Sequence, residues 1–110
     1  MEDVDMSQPM PANHKGQAMH HLDQARAFLR ASPADYVEGL FHATKALRLA
    51  NNDTKIQALA NILSATCHEN NEHYHLAYYA YLAAKGQDPR RWTDELENSL
   101  RFCECKVYPR

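Results

Sequence analysis

The densest chemistry in this chain lies between Cys67 and His75. The run Cys67-His68-Glu69-Asn70-Asn71-Glu72-His73-Tyr74-His75 packs a thiol, three imidazoles and two carboxylates together, and Cys103-x-Cys105 adds two thiols further on. Zinc takes four nitrogen or sulfur ligands in a tetrahedron, usually from close pairs such as C-x2-C or H-x3-H. Neither spacing is present. On a helix, His73 and His75 point about 200° apart, and Cys103 and Cys105 diverge equally. A shared site for Cys67, His73 and Cys103 requires three separate elements to converge. The expectation is therefore no metal and no cofactor. Cys67 and Cys103 read as small core residues, His73 as a core histidine, and His68 and His75 as solvated. The alternative is a metal- or redox-responsive regulator built on Cys67, Cys103, Cys105 and nearby histidines.

The remaining candidates point to binding more than to catalysis. A Cys-His nucleophile lacks an orienting third group and an oxyanion hole. No Gly-rich phosphate loop is present. His20-His21 reads as helix surface. Arg90-Arg91-Trp92 joins two guanidinium groups to a large ring, the residue types enriched at interface hot spots. Tyr74, Tyr78 and Tyr81 form a stripe at helical spacing, and six tyrosines is many for a core of this size. These six residues, Tyr74, Tyr78, Tyr81, Arg90, Arg91 and Trp92, are the expected partner-binding set.

The elements that must carry them are helical. Three glycines among 110 residues, with abundant Ala and Leu, favour helix over sheet. Residues 1–13 lack periodicity and read as a flexible tail, and 14–110 as one helical domain. The first helix runs from about His14 or Gln17 to Ala31, along Ala18, Leu22, Ala25 and Leu29. The second starts at Ser32-Pro33 and runs to about Ala50, along Tyr36, Leu40, Ala43 and Leu47. The third spans about Thr54 to His68, capped by Asn52 or Asp53, and turns at Asn70-Asn71. The fourth, Glu72 to Gly86, is apolar nearly all round and reads as buried among its neighbours, with Gly86 as its stop. The fifth starts at Asp88-Pro89 and runs to about Cys105, along Trp92, Leu96, Leu100 and Cys103. Short connections imply antiparallel neighbours.

Composition narrows the function. The formal charge of −2 leaves no electrostatic footprint for nucleic acid or an anionic membrane. No apolar run approaches the ~20 residues of a membrane span. The opening M-E-D-V-D-M lacks the basic-then-apolar order of a signal peptide, and three cysteines make an odd number, so the expected compartment is the cytoplasm.

Ala43-x3-Leu47-x2-Ala50 recurs 34 residues later as Ala77-x3-Tyr81-x2-Ala84, followed by Asp88-Pro89 where a new helix begins. This layout resembles the tetratricopeptide repeat, best over Ala58 to Pro89. The first hairpin departs from it at Ser32-Pro33 and lacks the family's early aromatic. The resemblance implies stacked helical hairpins and a protein-binding scaffold, with the fifth helix as a cap. The fold is thus expected to be all-α, about five antiparallel helices, either as such hairpins or as a compact bundle. The expected role is non-catalytic: an adaptor, chaperone or inhibitor-type module that binds another protein, with a second copy of itself as a further candidate partner.

Overall fold

The computed structural model describes the backbone of residues 11–109 and the side chains of residues 14–109. Five α-helices make up the fold: α1 (Pro11–Arg30), α2 (Tyr36–Leu49), α3 (Thr54–Asn70), α4 (Tyr74–Gln87) and α5 (Asp94–Val107), with a short 3-10 turn at Pro89–Arg91 between the last two. Of the expected tail, 1–10 lie outside the described residues and 11–13 belong to α1.

Polar side chains set most of the helix starts. Asp35 accepts a hydrogen bond from the Glu38 amide at 3.0 Å. Asp53 accepts from the amides of Lys55 and Ile56, each at 3.1 Å. Thr93 accepts from Leu96 at 3.1 Å. Each satisfies amides that the first helical turn leaves without partners. The cap of α2 is therefore Asp35, three residues beyond the expected Ser32. The Asp88-Pro89 start belongs to the 3-10 turn, and Trp92 in extended backbone separates that turn from α5. Left-handed backbone falls at Asn51 and Glu72, not at Asn70 or Asn71. Gly86 lies inside α4 and does not end it.

Each helix packs on the next in sequence, and α1 also touches α3. The result is an elongated slab of 58 × 30 × 19 Å, about two helix diameters thick. Two apolar clusters share α3. One joins α1, α2 and α3 through Ala18, Leu22, Ala46, Ala50, Ile56 and Ala60. The other joins α3, α4 and α5 through Ala65, Ala77, Tyr81, Leu100 and Cys103.

The central element is thus α3, which buries residues on several sides, from Ile56 and Ala58 through Asn61 and Ser64 to Cys67. This corrects the expectation that 72–86 is wrapped by its neighbours. Only Ala77, Tyr81 and Ala84 of α4 are fully buried. Leu76, Tyr79, Leu82 and Ala83 face outward, because α3 and α5 together cover only part of the α4 surface.

Three helices meet at Gly39. A Cβ placed there would collide with Leu29 Cδ1 of α1 and lie 3.2 Å from Cys67 Sγ of α3. Gly39→Leu is expected to lower unfolding stability by about 1–3 kcal/mol through overpacking, read as a lower urea midpoint with an unchanged slope.

Candidate functional site: an aromatic surface on the last two helices

The facing sides of α4 and α5 gather the large side chains of the molecule. Tyr74 meets Phe102 edge-on at 5.7 Å between ring centroids. Lys106 holds its ammonium over both rings, at 5.6 and 5.4 Å. Tyr78 contacts Tyr79 at 5.0 Å and Tyr108 at 5.8 Å. The hydroxyls of Tyr79 and Tyr108 share a hydrogen bond of 3.0 Å, which raises the pKa of Tyr108 by favouring its neutral form. Phe102, Tyr79 and Tyr108 remain about half exposed. Rings held in place yet still wet are suited to burial by a second molecule, because little side-chain entropy remains to be lost.

The expected partner-binding set divides. Tyr81 is taken into the core at 2% exposure. Its hydroxyl donates to Glu69 Oε1 at 2.8 Å, and burial pushes its pKa up. It cannot meet a partner and leaves the set. Its position between α3 and α5 on the buried line of α4 is the reason. Tyr74, Tyr78 and Trp92 are half-buried against the second cluster and keep an edge outside. Arg90 and Arg91 are exposed at the far end of α4. With Lys55 and Asp88 they line an open cleft of about 300 Å³. Arg91 pairs with Asp88 at 3.3 Å. The other two cations, Lys55 and Arg90, take no part in an ion pair among the described residues. The cleft is therefore positive and fits a carboxylate.

Glu97 locks this corner. Its Oε1 accepts from Trp92 Nε1 at 2.7 Å and from Lys85 Nζ at 2.9 Å, and its Oε2 accepts from Arg101 Nε at 3.0 Å. Lys85, then Trp92 and Arg101, hold its pKa down to about 2. Lys85 also stands 5.9 Å from the centre of the Trp92 ring. One carboxylate thus fixes the Trp92 ring between α4 and α5.

Sequence reading missed Tyr79, Phe102, Lys106 and Tyr108. Tyr79 was detectable, since it lies about 200° from Ala77 at helical spacing. Phe102 lies off the Leu96–Leu100–Cys103 line in the same way. That Tyr108 folds back onto Tyr78 and Tyr79 is a tertiary contact with no local signal.

The thiols are not drawn together. Cys67 and Cys103 are buried, and burial pushes each up to about 11, while Cys105 is exposed. Among the described residues no three His, Cys, Asp or Glu side chains are placed to hold one ion. The expectations for His73, His68 and His21 fail, while His75 and His20 are exposed as expected. His73 is exposed at the N-cap of α4, where the chain has not yet entered the helix. His68 is half-buried, with Nδ1 sealed off and without a hydrogen-bond partner, and burial lowers its pKa. His21 is half-buried rather than on open surface, with Nδ1 2.8 Å from His42 Nδ1. Burial, then His42, lower its pKa.

No helix among the described residues is long and apolar enough to cross a membrane. No family model, curated protein or solved structure matches the chain.

Two outcomes test this geometry. A thiol reagent is expected to modify Cys105 in the native protein, and Cys67 and Cys103 only at the rate of unfolding. Because the folded pKa of Glu97 lies below its ordinary 4.5, its stabilisation is complete above about 4.5 and is lost as pH falls toward about 2. Glu97→Gln is expected to flatten the dependence of the thermal midpoint on pH within that window.

Proposed function

We propose that this protein is a non-catalytic interaction module, of the adaptor, chaperone or inhibitor kind, that binds another polypeptide through the α4–α5 surface. The observation that carries the reading is the set of preordered, partly exposed rings, Tyr74, Tyr78, Phe102 and Tyr108, with the Lys106 ammonium over Tyr74 and Phe102. Tyrosine and phenylalanine anchors of this kind supply most of the energy at protein interfaces. The Lys55–Arg90–Arg91 cleft adds a site for acidic side chains of the partner. Trp92, fixed by Glu97, stands at the same end.

The linear order of helix contacts supports a stack of helical hairpins in the tetratricopeptide manner, with α5 as its cap. The absence of disulfide pairing among Cys67, Cys103 and Cys105 accords with a cytoplasmic setting.

The test compares capture by wild-type and variant protein from the native host. Phe102→Ala, Tyr78→Ala and Trp92→Ala are each expected to weaken a captured partner by about 1–3 kcal/mol, roughly 10- to 100-fold, with the helical circular dichroism intact. Arg90→Glu is expected to weaken it further in low salt than in high salt. A partner that binds all four variants as it binds wild type sinks the reading, as does loss of binding that tracks loss of helix.

A further inference from the structure

The outward face of α4 carries an apolar seam that the rest of the described chain leaves largely uncovered, with Tyr108 hydrogen-bonded to the Tyr79 hydroxyl at one edge. Leu76 is 56% exposed and Tyr79 53%, and Ala83 and Gly86 are exposed as well. At 100° per residue these four fall within about 80° of one another. They lie opposite the buried line of Ala77, Tyr81 and Ala84. Their spacing of three, four and three is that of a helix seam with a second helix against it. Gly86 is the telling residue. Its backbone is not left-handed, and a Cβ built on it would meet nothing within 4 Å. Glycine weakens a helix relative to alanine, and the folded chain makes no use of the space it leaves.

We propose that α4 pairs with α4 of a second copy, antiparallel, about a two-fold axis level with residue 81. Positions equally distant from 81 then face each other. Leu76 and Gly86 each lie five residues away, and Tyr79 and Ala83 each lie two away. Every large side chain of one copy therefore meets a small residue of the other, which lets the two backbones approach to the 8–10 Å typical of packed helices. Beyond the helix ends, the same symmetry brings Glu72, in the turn before α4, to the end of the partner copy where Arg90 stands in the 3-10 turn after α4. Both are exposed, and neither takes part in an ion pair among the described residues. The contact is thus complementary in size and in charge, twice over, as a closed two-fold interface must be. A parallel pairing would set Glu72 on Glu72 and Leu76 on Leu76, and leave Gly86 facing Gly86 with a void. The Tyr74–Phe102–Lys106 flank stays free, whereas Arg90 also lines the cleft proposed for a partner's acidic side chains, so the two readings are separated at Phe102 and Gly86 and not at Arg90.

A single pair of helices of this length is a small interface, and association in the micromolar range follows. Sedimentation equilibrium of the full chain across that range tests it. The mass is expected to rise from monomer to dimer and stop there. Gly86→Leu is expected to weaken the dimer at least about tenfold while the helical signal holds or grows. Glu72→Arg and Arg90→Glu are each expected to weaken it in low salt, and the double variant to regain it. Phe102→Ala is expected to dimerise like wild type, whatever it does to partner capture. A wild-type mass that stays monomeric overturns the proposal. So does a Gly86→Leu dimer as tight as wild type. A double charge variant no better than the singles overturns the antiparallel register.

Discussion

The helices of this protein touch through alanine, and that constraint decides where everything larger must go. Among the described residues, ten of the sixteen buried apolar residues are alanines, and the largest fully buried side chains are Leu22, Cys67 and Cys103. Alanine contacts bring helix axes close and leave little room between them. Each contributes modestly to stability, so cohesion comes from many contacts along each helix pair and not from a few large anchors. An interior this thin cannot hold six tyrosines, three phenylalanines and a tryptophan. Tyr81 is the exception, and it lies in the cluster where α3, α4 and α5 meet. The other rings stand at the margins, and the aromatic surface of α4 and α5 follows from that exclusion.

Polar contacts then fix the geometry that alanine packing leaves loose. Asn61 of α3 donates to the Gln87 side chain at the end of α4, at 2.9 Å. Tyr81 donates to Glu69 across the same pair of helices. Glu97 gathers Lys85, Trp92 and Arg101 where the 3-10 turn hands over to α5. Smooth alanine faces slide and rotate on one another easily, whereas a buried or half-buried polar pair is satisfied in one register only. The α3–α4–α5 unit is therefore held by two hydrogen bonds from α3 and one carboxylate from α5. The join of α1 to α2 rests on the His21–His42 contact, flanked by Phe28 and Phe41.

Which features were legible in the sequence follows from the range of the forces involved. Helix number and order could be read, because apolar spacing and Asp or Thr caps act within a few residues. Ala18, Leu22 and Ala25, or Leu96, Leu100 and Cys103, fell where their spacing put them. Boundaries failed where two starts competed. Ser32-Pro33 and Asp35 both suit a helix start, and Asp35 has the amide of Glu38 within reach. Burial failed where it depended on how many neighbours a helix has. The pattern of α4, apolar on all sides, matches a wrapped helix, while α3, with Asn61 and Ser64 among its buried residues, does not. The chain nevertheless wraps α3, since α1, α2 and α4 all pack on it, whereas α4 has only α3, α5 and the short 3-10 turn against it. Of the candidate site, Tyr74, Tyr78, Arg90, Arg91 and Trp92 were visible as residue types, but their separation from Tyr81 was set by α3 and α5, which bury its ring between them.

The exposed apolar face of α4 is not a by-product of a chain short of polar residues. The next helix shows the contrast. Outside its Leu96, Leu100 and Cys103 line, α5 presents Asp94, Glu95, Asn98 and Arg101 to water, and its one half-exposed large apolar side chain, Phe102, packs against Tyr74. The register position of Leu76, counted back 34 residues along the internal repeat, is occupied by His42, and that of Tyr79 by Lys45. The same fold position therefore accepts a polar side chain one hairpin earlier. Leucine and tyrosine there gain little inside the molecule: both remain more than half exposed, and the internal partners of Tyr79 are the Tyr78 ring and the Tyr108 hydroxyl. Their use has to be sought outside the single chain, and the bare Gly86 on the same line argues that what arrives is another backbone at close range.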